Sequence, residues 1–199
     1  MKWMRAVHHV QSLAESCAEM ATRPVSIFPL RVVQMWAVGD ILGPARDDLE
    51  FVRVALCVEL PPDAVAWWSE PPGAQHWANA TRLAKNPVLA WWRSAQAPVW
   101  NHRVDRPLRV WDEADGVQEE VLAALREGRG ESLRPAAPPP ELLRARLNEE
   151  LAVSLHALRA CTKDYEDRRW SPGKLEPVAD ALWRAGDGYL DVLDAVENA

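Results

Sequence analysis

Residues 31–60 read RVVQMWAV, then GDILGPARDDLE, then FVRVALCVEL: extended runs at 31–38 and 51–60 around a polar turn. The runs are rich in Val, Trp and Phe, which fit a pleated, half-buried surface, so the segment predicts two neighbouring β-strands. The turn holds Gly39 and Gly43 with four acids, Asp40, Asp47, Asp48 and Glu50. Glycine freedom would let such a turn approach a phosphate closely. Asp48 and Glu50 stand two apart on the approach to the second run. On a strand, that spacing puts both carboxylates on one face, about 7 Å apart, and hard oxygen ligands there can share a divalent cation.

Working outward, Trp3, Val7, Val10, Ala14, Cys17 and Ala21 recur at steps of three and four and predict a helix over 3–21 with one buried stripe. The adjacent His8 and His9 point to different sides of it and read as surface or cap residues. Residues 22–29 read as a loop. Beyond the strand pair, Asp63 is a candidate N-cap for a short helix over 64–69. Two more short helices are predicted over 73–83 and 87–95, a third strand over 107–112 (PLRVWD) and an amphipathic helix over 117–126.

Four prolines in Arg134–Pro140 (RPAAPPP) predict an extended spacer. It divides an α+β domain over 1–133 from a helical hairpin over 141–199. In the hairpin, 141–170 forms a helix about 45 Å long, with Leu143, Leu147, Leu151, Leu155 and Leu158 on one side. Ser171-Pro172-Gly173 breaks it, and a second helix over 177–198 returns antiparallel with Leu182, Tyr189, Leu193 and Val196 inward.

Apolar residues make up 48% of the 199, enough for a core, and the net charge of −6 argues against general coating of nucleic acid. Cys17, Cys57 and Cys161 are odd in number and far apart, so they suit neither a disulfide framework nor a zinc site. The N-terminus is not a signal peptide, and no run reaches the length of a membrane span. A cytoplasmic protein with no membrane association is the expectation.

The glycine turn and the acid pair together resemble the polymerase-beta superfamily of nucleotidyltransferases. Gly39-Asp40 stands where that family has Gly-Ser, and Asp48-Leu49-Glu50 where it has Asp-x-Asp. The resemblance implies a small mixed sheet flanked by helices, with Asp48 and Glu50 holding Mg²⁺ and Asp112 as a third carboxylate that activates the acceptor. The pattern is degenerate: Asp40 replaces the small hydroxyl residue, Ile41 and Leu42 replace basic residues, and Glu50 replaces the second Asp. The chain is also similar to an uncharacterised actinobacterial family through AQHWANATRLAKNPVLAWWRSAQAPVWNHR, residues 74–103.

Residues 71–104 contain no acid, in a chain with 29. They carry Arg82, Lys85, Arg93 and Arg103 among Trp77, Trp91, Trp92 and Trp100. Guanidinium forks suit phosphate and indoles stack on bases, so Arg82, Arg93, Trp100, Asn101, His102 and Arg103 join Gly39 and Gly43 as candidate ligand contacts. For Trp91 and Trp92, core packing takes precedence over stacking.

Two functions follow. One is a non-catalytic binding or regulatory protein on a degenerate nucleotidyltransferase-like scaffold, taking a nucleotide, a nucleic-acid end or a protein partner through the basic tryptophan-rich segment. The alternative is an active Mg²⁺-dependent nucleotidyltransferase using Asp48, Glu50 and Asp112. A homodimer anchored by the tryptophans is a third arrangement.

Overall fold

The chain opens with α1 (Trp3–Ala21), whose buried stripe runs through Trp3, Val7, Val10, Ala14 and Cys17 as the spacing predicts. The runs of the 31–60 segment form β1 (Val32–Val38) and β2 (Val52–Val58), paired antiparallel with Met35 opposite Leu56 and Val38 opposite Arg53. Alternation divides their side chains between two cores. Met35, Ala37, Val54, Leu56 and Val58 enter one with α1; Val38, Ala55 and Cys57 enter the other. A strand buried on both faces reads as a nearly continuous apolar run, hence VRVALCV in β2. This computed structural model describes residues 1–171, 173 and 175–198.

The crossover after β2 contains α2 (Ala74–Ala80), entered through Gly73 at φ 89°. The expected helix over 64–69 is absent: Pro62–Ala64 forms a single 3-10 turn that contains Asp63 and has no side-chain cap. The expected helix over 87–95 is also corrected, because Val88–Ser94 is the strand β3, parallel to β2. Its residues alternate between the cores, Trp92 into the first and Trp91 into the second. Apolar side chains on both faces erase the polar–apolar alternation that marks a strand, and Pro87 suits the approach to an edge strand as well as a helix start. The strand expected over 107–112 is β4 (Leu108–Asp112), antiparallel to β1, and β5 (Gly116–Val117) pairs with it. The sheet is mixed and five-stranded, in the order β3-β2-β1-β4-β5.

On the first face, α3 (Glu119–Arg126) packs Leu122 and Leu125 beside α1, and the Trp3 indole N–H donates to the Leu125 carbonyl at 2.8 Å. The second face is covered by α4 (Pro140–Arg168) and α5 (Leu175–Glu197), with Leu147 and Val192 buried among the strand residues. Leu147 shares that cluster with Val192, and Gly186 approaches Leu158, so the two helices run antiparallel. Pro172 of the expected break lies outside the described residues. A Cβ at Gly188 would run into the Trp67 carbonyl, so glycine is what lets α5 settle on the 67–68 loop. No helix among the described residues is long and apolar enough to cross a membrane.

Candidate functional site

β2 begins at Val52, so Asp48 and Glu50 precede the strand in irregular chain rather than lying along one strand face as expected. Neighbouring contacts fix that stretch: Leu49 is buried in the core, and the Asp47 carboxylate accepts the Trp3 backbone N–H at 2.9 Å. The Asp48 side chain is 78% exposed and faces Arg46 at 3.3 Å. Asp112 lies opposite Gln34 near the start of β1, whereas Arg53, the second residue of β2, lies opposite Val38. The four-residue step from Gln34 to Val38 spans about 13 Å of strand. Asp48, Glu50 and Asp112 are therefore not brought together. Partial burial raises the Asp112 carboxyl, but bonds from the Ala114 N–H and Gln34, with the charge of Arg109, outweigh it and hold it below its ordinary value. Among the described residues, no group of three or more His, Cys, Asp and Glu is placed to hold a metal ion.

Gly39, at φ 71°, and Gly43 do share a hollow with Arg103, a polar depression of about 330 Å³. Its cations face carboxylates of the same chain: Arg46 to Asp40 at 3.0 Å, Arg134 to Asp105 and to Glu131 at 2.7 Å each.

The second half of the acid-free segment is turned inward. Arg93, its side chain 4% exposed, is ion-paired with Glu150 of α4, donates to the Val99 carbonyl at 3.0 Å and sits 5.4 Å over the Trp67 ring. Asn101 donates to Glu150 at 2.8 Å and accepts the Arg103 and Val104 backbone N–H groups at 2.9 Å each. Asp191 of α5 accepts from the Trp67 indole at 2.7 Å, His102 Nε2 at 2.9 Å and Arg103 Nε at 3.1 Å. Burial raises the Asp191 carboxyl, but these bonds outweigh it and hold it well below the usual carboxylate range. Arg93, Asn101, His102 and Arg103 thus latch the helical hairpin to the sheet. Trp100 is half-buried nearby, and Arg82 is exposed in a left-handed conformation at φ 56°.

Residues 89–92, in the middle of the segment, border a different feature. A cleft of about 380 Å³ runs between β3 and the N-terminal half of α5, walled by Trp68, Leu89, Trp91, Trp92 and Trp183 and rimmed by Glu70, Asp180 and Arg184. It adjoins a further cavity of about 510 Å³ bordered by Glu176 and Cys161. The indole N–H groups of Trp68 and Trp91 are buried without a partner, and Trp91 is only 7% exposed. Buried donors are nearly always satisfied, so two beside one cleft need an account. Trp68 is held at φ 62°, a conformation rare for a bulky residue and found where surrounding structure enforces it. Trp183 is 67% exposed at the rim.

β3 is an edge strand, and its outer side opens on this cleft. The Val52 N–H donates to the Pro87 carbonyl and the Ala95 N–H to the Val58 carbonyl. Alternation then turns the peptide groups of Leu89, Trp91 and Arg93 toward β2 and those of Ala90 and Trp92 toward the cleft. Sequence reasoning found Trp91 and Trp92 but missed Trp68 and Trp183. Trp183 carried a signal, since it follows Leu182 and falls off the inward stripe of its helix.

These features define a class: an α+β protein with a mixed sheet, an unpaired parallel edge strand and a tryptophan-lined cleft along it. The chain belongs to the family described as Domain of unknown function (DUF7711), which matches residues 1–198. No curated protein and no solved structure matches it. Membership agrees with an uncharacterised family; neither an actinobacterial origin nor a nucleotidyltransferase likeness finds support in these comparisons.

Proposed function

We propose that this is a non-catalytic binding protein that takes a protein partner in the cleft beside β3. The observation that carries the reading is the unpaired outer edge of β3, whose Ala90 and Trp92 peptide groups face a cleft walled by tryptophans. Large aromatics at a concave rim are the residues from which binding hot spots are built, and Trp183 supplies one at little cost to the core. A phosphate-bearing ligand is less well served, because Arg93, Arg103, Arg46 and Arg134 are each paired with a carboxylate of the chain.

Panning a random heptapeptide display library on the full chain tests this. Recovered peptides are expected to bind the wild-type protein and to lose about tenfold or more in affinity for Trp183→Ala. Equal binding to both proteins, or no recovered peptide, contradicts the reading. So would turnover of a nucleoside triphosphate that depends on Mg²⁺ and on Asp48 and Glu50.

A further inference from the structure

Resting on that reading, we propose that the occupant is an extended segment of a partner protein that adds to the sheet along β3 and carries a basic side chain for Asp180 and Glu176.

The two edges of the sheet are built differently. At one end β5 is two residues long, Gly116–Val117, too short to template a neighbour. At the other, β3 pairs with β2 over seven consecutive residues, Val88 to Ser94, without a register shift. Natural edge strands are usually blunted by proline, a bulge, an outward charge or a cover. β3 contains no proline, no bulge interrupts its pairing, and its exposed side faces a cleft. Such an edge can accept a further strand, with main-chain bonds giving affinity and pockets for alternate side chains giving specificity.

The walls select what enters. A polypeptide brings carbonyl acceptors at regular spacing, which a hydrocarbon ligand does not. Ala90 and Trp92 can donate to two of them along the strand. Apolar side chains of the segment would lie against Leu89, Trp91 and Trp183. The rim supplies the charge preference. Asp180 on the rim and Glu176, which borders the adjoining cavity, stand four apart on α5, a like-charge spacing that disfavours the helix until a cation relieves it. Neither is ion-paired among the described residues, while Glu70 is paired with Arg184.

The test uses heptapeptides recovered by the panning above, resynthesised with a single backbone N-methyl group at each position in turn. Strand addition predicts a two-residue alternation: methylation at every second residue weakens binding about tenfold or more, and the intervening positions tolerate it. Lys or Arg is expected at a fixed position in the recovered peptides, and Asp180→Lys is expected to weaken them by a similar factor. Uniform tolerance of N-methylation overturns strand addition while leaving the binding reading in place. Peptides indifferent to Trp183→Ala sink the binding reading itself. If the wild-type chain sediments as a dimer that Trp183→Ala splits, the occupant is a second copy and the basic-segment proposal is overturned.

Discussion

Residues 88–92 and 93–104 are neighbours in sequence and share a composition of tryptophans without acids, yet they end in opposite circumstances. The later stretch is consumed internally: Arg93 and Asn101 close on Glu150, and His102 and Arg103 close on Asp191. The earlier stretch is left open, with an unpaired strand edge and an indole donor lacking an acceptor. The basic groups, which look the most available for a ligand, are spent on holding the hairpin. The strand edge, which looks like core, is what faces a cleft. Stability and binding are therefore separable by mutation.

The largest effect is expected at the latch. Glu150→Ala strands the buried Arg93 guanidinium without a counter-charge and leaves Arg146 only the exposed Glu149, and should cost about 3–5 kcal/mol in denaturant unfolding. Replacing Gly188 with Val forces a side chain into the Trp67 carbonyl, so overpacking of about 1–3 kcal/mol should lower the thermal midpoint. Because Gly188 seats α5 beside Trp68, that variant should also lose the peptides selected on the cleft.

Acid provides a milder probe of the same latch. The Asp191 carboxyl is held below its ordinary value in the folded state, so its contribution is fully present above the unfolded value of about 4 and is lost as pH falls toward the folded one. Asp191→Asn should flatten the decline in stability below about pH 4 relative to wild type, in an unfolding series from pH 7 to pH 2. The smallest effect on stability is expected at the cleft. Trp183→Ala removes a side chain that is 67% exposed and should shift unfolding by about 0.5 kcal/mol or less, while costing peptide affinity. A large loss of stability in that variant would erase the separation between the two stretches.

Much of the fold was legible in residues 31–60, because β-branched and aromatic runs around a glycine-containing turn have few alternatives to a strand pair. The hairpin was legible too, since a leucine stripe and a proline-glycine break are local signals. β3 was not: VLAWWRS is buried on both faces, and its parallel partner is reached through a crossover that no local pattern announces. The role of Arg93 and Arg103 was hidden for a related reason. Their carboxylate partners lie 57 and 88 residues away, so composition shows a basic run where the fold shows neutralised pairs. The expected acid pair failed on register, because the strand begins at Val52 rather than at Asp48. The cleft joins Trp68 to Trp183 across more than half the chain, a juxtaposition that only the packing of α5 creates.

Amide hydrogen exchange at single-residue resolution on the full chain, free and saturated with a panned peptide, tests the central claim most directly. In the free protein, the Leu89, Trp91 and Arg93 amides should exchange slowly through their bonds to β2, while Ala90 and Trp92 exchange fast. The peptide should slow Ala90 and Trp92 selectively. If those two amides are already protected in the free chain, or stay unprotected when peptide is bound, the open edge of β3 is not the binding surface.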